Sequence, residues 1–221
     1  MQVLTLEEAR SFYNKFGEKQ DSQTFYEATA LHSLIANSKF DQATSVFEFG
    51  CGTGRFALKL LSEYLPSKAQ YRGVDISTTM IQLASARLTP FASRANVTLA
   101  TDNVTIQVDD NSIDRFVSTY VLDLLPDENV KQVIHEAHRA LKADGLLCLA
   151  GVTEGTTPLS RIVMNSWQWL FSKKPSLVGG CRPTNLLEHL PSTEWHIQYH
   201  TIVIAWGIAS EVLIASPIKD R

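Results

Sequence analysis

At 221 residues, 44% hydrophobic and 19% charged, the chain is the size of one α/β domain with additions and has an ordinary globular composition. A net charge of −3 and a pI near 6.1 exclude a general basic field for nucleic acid and leave a small molecule as the expected partner. Apolar runs such as 146–152 and 202–209 are too short to span a membrane, the N-terminus lacks a basic cleavable leader, and the 3 cysteines form neither a C-x-x-C pair nor a zinc pattern, so the expectation is a cytoplasmic protein with no membrane and no metal.

Residues 5–37 read as two helices. Thr5 caps the first, with Glu7 and Glu8 in its opening turn. Phe25, Ala28, Leu31, Leu34 and Ile35 give the second one apolar face. Tyr13, Phe16, Phe25 and Tyr26 either close over a ligand as a lid or pack these helices on the core. A short β-rich run, 45–49, then breaks into Gly50, Gly52 and Gly54, and helix-compatible sequence follows over 55–64. Strand, glycine turn and helix let a backbone come close to a nucleotide-like ligand, with free helix N–H groups facing it. The spacing is G-x-G-x-G. Arg55 stands where the dinucleotide fingerprint has its third glycine, which argues against a pyrophosphate ligand.

A second strand, 70–75, ends in Asp75, 21 residues after Gly54. In doubly wound sheets an acid at that separation accepts hydrogen bonds from ribose hydroxyls. Loop and acid together describe an adenosine-type ligand with no required phosphate. Ser77 caps a helix over 78–88 that puts Met80, Ile81, Leu83 and Ala84 on or near its buried side, and Pro90 helps to end it. Strands follow over 96–101 and 113–121, a loop lies between them over 102–110, and an amphipathic helix covers 128–141. A fully buried strand takes 146–152. This alternation predicts a parallel sheet covered on both faces. Residues 153–194 depart from it, with a helix over 159–171, a Gly/Pro linker and a short helix near 185–190. Residues 195–204 and 211–216 read as strands of a hairpin turning through Ala205-Trp206-Gly207.

In this order the residues resemble the class I S-adenosylmethionine-dependent methyltransferases. The first motif is Glu48-Phe49-Gly50-Cys51-Gly52-Thr53-Gly54, and the second is Gly73-Val74-Asp75-Ile76-Ser77. Asp102-Asn103 stands at the family's adenine-contacting acid. Ile113-Asp114-Arg115-Phe116-Val117-Ser118 is similar to the fourth-strand motif, and Leu141-Lys142-Ala143-Asp144-Gly145 to its Leu-Lys-Pro-Gly-Gly turn. The resemblance covers roughly residues 40–155. It implies a single domain with a Rossmann-like, seven-stranded, mostly parallel sheet and an antiparallel last strand. Residues 1–40 would form a helical lid, 41–155 the cofactor core, 156–194 a cap over the acceptor and 195–221 the closing hairpin.

The resemblance also implies site residues. Tyr13, Glu48, Phe49, Gly50, Cys51, Gly52, Gly54, Asp75, Ile76, Met80, Asp102, Asn103, Thr119 and Tyr120 would bind S-adenosylmethionine, with S-adenosylhomocysteine as product. Asp75 would take the ribose hydroxyls, Glu48 the ammonium or sulfonium side, and Asp102 the adenine amino group. Asp123 would face the methyl group and could accept a proton from the acceptor, although capping before Pro126 explains it equally well. On the acceptor side stand Tyr26, Trp167 and Arg182, whose guanidinium would bind an anionic group or else be a surface charge. Trp169 and Trp206 would join Trp167 as aromatic walls, or serve as helix packing. The implied function is in-line methyl transfer to an O or N atom of a small molecule by a monomer or homodimer. A non-catalytic binding or scaffold domain, or a methyltransferase acting on protein or RNA, is the alternative.

Overall fold

The computed structural model describes residues 3–101, 104 and 106–219. Two helices come first, α1 (Leu6–Phe16) and α2 (Thr24–Asn37), joined by a 3-10 segment, Gly17–Gln23. A capping box starts α1: Thr5 accepts from the Glu8 N–H at 3.2 Å while the Glu8 carboxylate accepts from the Thr5 N–H at 2.8 Å. Strands and helices then alternate through β1 (Ser45–Phe49), α3 (Arg55–Lys59), β2 (Gln70–Asp75), α4 (Thr78–Arg87), β3 (Ala95–Leu99), β4 (Ile113–Thr119), α5 (Asp127–Ala140) and β5 (Leu141–Val152). The chain ends with α6 (Pro158–Lys173), β6 (Trp195–Ala205) and β7 (Ile208–Pro217).

The seven strands form one sheet in the order β3-β2-β1-β4-β5-β7-β6. Strands β1 to β5 pair in parallel, and β7 is antiparallel to both its neighbours. This is the expected Rossmann-like α/β sheet. Side chains alternate between its faces, as the two-residue period of a strand requires. Val46, Val117, Cys148 and Val212 pack toward α2, the α3 region and α6. Phe47, Phe116, Leu147 and Leu213 pack toward α5. On α5, Val130, Val133, Ile134 and Ala137 recur at helical spacing and are buried, each large side chain contributing about 1.5–3 kcal/mol by leaving water.

Several boundaries differ from the sequence reading, two of them with a structural consequence. The helix expected over 55–64 is α-helical only to Lys59, and its last turn, Leu60–Tyr64, is π-helical. Strand β5 begins at Leu141, because Leu141 already pairs with Ile113 before a bulge restores the register at Arg115 and Leu146. The segment that resembles a turn is therefore taken into the sheet edge.

Candidate functional site

The order of strands reverses between β1 and β4, and a crevice opens beyond their carboxyl ends, as the topology of such sheets requires. The chain leaves β1 through the glycine loop, where the N–H groups of Gly50 and Cys51 both donate to Val74 O at 2.9 Å. Gly54 has φ +74°, and a Cβ there would lie 3.0 Å from the Cα of Ala84 on α4. Only glycine allows both that conformation and that approach.

Two cavities, one larger than the other, lie side by side in the crevice, where ligands of such open sheets bind. Tyr13, Gln20, Gly50 and Tyr120 line both and mark their junction. Phe49, Val74, Ile76, Ala100, Val121 and Leu124 make the larger cavity apolar, with Asp75 as its carboxylate. The smaller cavity is polar, walled by Glu27, Glu48, Cys51, Gly52, Thr53, Arg55, Thr119 and Cys181.

Asp75 ends β2 with its carboxylate turned back on the loop. It accepts from the N–H of Gly52 at 3.0 Å and from that of Ser77 at 2.8 Å. Burial pushes its carboxyl up to about 6, against the pull of those backbone donors. Glu48 is fully buried at the end of β1 and accepts from the Tyr71 hydroxyl at 2.5 Å. Burial raises it to about 8. Glu27 on α2 is raised to about 7 by burial, and Arg55 opposes the shift.

The N-terminal helices seat over this crevice through polar clasps. Asn14 Oδ1 accepts from the Ser77 hydroxyl at 2.7 Å, and Arg10 Nε donates to Ile76 O at 3.2 Å. The Tyr13 hydroxyl donates to Gly179 O at 3.0 Å. Asp21 accepts from Arg87 and from the Thr53 hydroxyl, both at 2.7 Å. Arg55 pairs with Glu27 at 3.0 Å and lies 3.9 Å from Asp21.

Of the residues expected at a cofactor, Tyr13, Glu48, Phe49, Gly50, Cys51, Gly52, Asp75, Ile76, Thr119 and Tyr120 line the crevice. Gly54 lies under the loop, and Met80 is buried in the core without reaching either cavity. Asp102 and Asn103 fall outside the described residues. Sequence reasoning missed Gln20, Asp21, Glu27 and Arg55. Gln20 holds its carboxamide 3.1 Å from where a Cβ on residue 52 would stand, and its Oε1 is buried with no hydrogen-bond partner among the described residues.

The residues expected on the acceptor side line neither cavity. Asp123 does not face a cavity: it is fully buried, and its Oδ2 accepts from the Val152 N–H at 3.1 Å, tying the turn after β4 to β5. Arg182 does not present a free fork. Its guanidinium donates to Leu125 O at 2.9 Å and to Asp127 at 2.5 Å, and it lines neither cavity. Tyr26 is buried behind the crevice, edge-on to Tyr120 at 5.7 Å and to Trp167 at 6.3 Å. Trp167 donates its indole N–H to Cys181 O at 2.9 Å. Trp169 and Trp206 point to solvent and form no wall. Among the described residues no cluster of His, Cys, Asp or Glu is arranged to hold a metal ion, and no helix is long and apolar enough to cross a membrane.

The methyltransferase-domain family matches residues 46–145, from β1 to the start of β5. A demethylmenaquinone methyltransferase of Lactiplantibacillus plantarum is 31% identical over 136 residues, covering 61% of this chain and 54% of that protein. A tRNA N(3)-methylcytidine methyltransferase of Drosophila melanogaster is 29% identical over 126 residues, 56% of this chain and 39% of that protein. The chain spans about half the length of the curated relatives it matches. Among solved structures, the [4+2]-cyclase SpnF superposes with a TM-score of 0.73 over 98% of both chains at 15% identity, a likeness of fold alone.

Proposed function

We propose that this chain, whose residues 46–145 match the methyltransferase-domain family, is a class I S-adenosylmethionine-dependent methyltransferase that moves a methyl group from S-adenosylmethionine to an oxygen or nitrogen of a small-molecule acceptor. The observation that carries the reading is Asp75, set between the glycine loop and an apolar cavity. The residues fit the cofactor. The apolar cavity suits adenine, and the Asp75 carboxylate keeps lone pairs for ribose hydroxyls. The unpartnered Gln20 Oε1 stands at the junction, open to a donor. The polar cavity has Arg55 for a carboxylate, and the Glu27 and Glu48 carboxyl groups for an ammonium to hydrogen-bond.

When bound, S-adenosylmethionine supplies a methyl group already activated by the positive charge on sulfur. The chain's part is alignment and exclusion of water, which in well-oriented systems can supply about 7–11 kcal/mol. Asp75 and the Gly50–Gly52 backbone fix the nucleoside end. Tyr13 and Tyr120 narrow the junction, and the lid clasps hold it shut. Glu27, whose carboxyl burial lifts to about 7, lines the same cavity as Thr119 and Tyr120 and is the group placed to receive a proton from the acceptor.

An enclosed crevice and a net charge of −3 favour a small acceptor over tRNA. Calorimetric titration with S-adenosylmethionine and S-adenosylhomocysteine, followed by labelled-methyl transfer to a metabolite library, tests the proposal. Expected are saturable one-to-one binding and label in a small product. Label in RNA or protein alone would replace the acceptor class. Binding without transfer to any class would favour a non-methylating use of the fold, such as the cyclase activity for which the SpnF neighbour is named.

A further inference from the structure

The outward side of α6 does not look like a solvated face. Leu159, Ile162, Ser166, Trp169 and Lys173 recur at steps of three and four residues and form one stripe along the helix. Leu159, Ile162 and Trp169 are 66%, 65% and 60% exposed. The opposite side is the one that packs, through Ser160, Met164 and Phe171. A helix apolar on both sides is expected in a buried setting. The β6–β7 turn extends the surface: a Cβ at Gly207 would come within 2.8 Å of Val163 on α6, and the neighbouring Trp206 is 81% exposed.

Charge distinguishes this surface from the rest of the molecule. From 155 to 187 the chain contains Arg161, Lys173, Lys174 and Arg182 and no acid, although the whole chain is acidic. Arg182 is committed to Asp127. Arg161, Lys173 and Lys174 are exposed, and none forms a salt bridge among the described residues. The Lys173 ammonium lies 5.9 Å from the centre of the Trp169 ring.

We infer that the outer face of α6, with the Trp206 turn, docks on the surface of an anionic lipid bilayer. Apolar and indole side chains flanked by cations are the composition of a helix lying in the bilayer interface, where lysines reach up to the headgroups. Short apolar runs exclude spanning and leave surface binding open. A second copy of this chain is the poorer occupant, because a two-fold contact would press the same unpaired cations together. Single-stranded RNA would use the tryptophans and cations but has no use for exposed Leu159 and Ile162, which offer no stacking face. The same segment closes the crevice from inside, through Trp167 on Tyr26 and Cys181. Docking would therefore set the cap of the site against the membrane.

Co-sedimentation of the full chain with vesicles tests this directly, using phosphatidylcholine alone and phosphatidylcholine mixed with phosphatidylglycerol. Binding to the mixed vesicles is expected, weakened by salt, and reduced about tenfold or more in Ile162→Glu with Trp206→Ser. Lys173→Gln with Lys174→Gln alters no packed side chain and should reduce it as well, so the test survives a folding defect in the first variant. Absence of binding to mixed vesicles overturns the inference, as does unchanged binding by both variants. Equal binding to neutral vesicles overturns the anionic assignment. A dimer dissolved by Ile162→Glu, or retention of single-stranded RNA, without vesicle binding gives the surface to the other occupant.

Discussion

Tyr71 on β2 and Glu48 on β1 share a hydrogen bond of 2.5 Å directly beneath the glycine loop, and neither side chain reaches bulk water. Burial holds the Glu48 carboxyl near 8 rather than 4.5, with Tyr71 pulling the other way. A carboxyl raised in the folded state favours folding below its unfolded value, and that advantage is lost as pH rises through the folded one. Stability of the unliganded chain should therefore fall between pH 4.5 and pH 8, with Glu48 accounting for on the order of 5 kcal/mol. Glu27 ends its contribution near 7, so the loss above pH 7 belongs mainly to Glu48. Urea unfolding across this range checks it. If Glu48→Gln keeps the wild-type slope above pH 7, the assignment fails.

Asp75 should govern cofactor affinity with the opposite sign. Its ionised form accepts ribose hydroxyls, and its carboxyl sits near 6. Affinity for S-adenosylhomocysteine should fall as pH drops from 7.5 to 5, while Asp75→Asn binds weakly and without that slope. Asp75→Ala should lose about tenfold or more, the loss of one or two hydrogen bonds to a charge. Calorimetry on folded variants decides it, and undiminished affinity would remove Asp75 from the site.

The clasp of Asp21 by Arg87 and Thr53 should control how tightly the N-terminal helices close. Asp21→Ala is expected to speed amide exchange in α1 several-fold and leave the sheet unchanged. Cofactor affinity should drop in parallel. Uniform exchange across α1 and β1 in both proteins would show that the lid does not open independently of the core.

Arg182 now predicts a stability effect. Replacing it with Ala removes the Nη2 group that donates to both Leu125 O and Asp127. About 1–3 kcal/mol of unfolding free energy should go with it, and affinity for S-adenosylhomocysteine should hold within about twofold because neither cavity touches the residue. A lower affinity with unchanged melting would contradict the structure's placement of this side chain.

The sequence announces the sheet and the nucleoside half of the crevice because their signals are local. Strand runs, three glycines in five residues and Asp75 at a fixed separation all lie within one βαβ unit. Arg55 shows where this stops. Its sequence position marks only a missing glycine, whereas its partners Asp21 and Glu27 lie about thirty residues upstream and meet it only after folding. Asp123 and Arg182 are motif-like residues whose side chains are taken up by Val152 and Asp127, and no spacing rule encodes those meetings. Likewise, Trp169 and Trp206 read as packing or walls because their outward aim depends on which side of α6 meets the sheet. The early start of β5 rests on one cross-strand pair, Ile113 with Leu141, on either side of a helix.

The bond from Tyr13 to Gly179 joins residues 166 positions apart. Helix α1 has no buried residue of its own, and its anchors Asn14, Arg10 and Tyr13 reach Ser77, Ile76 and Gly179, all made later. During synthesis α1 therefore emerges before its seat is made. At about 5–20 residues per second, that interval is on the order of ten seconds or more. The nascent chain thus carries α1 without its full set of anchors until Gly179 has emerged, so the seating of this helix is among the last steps of the fold.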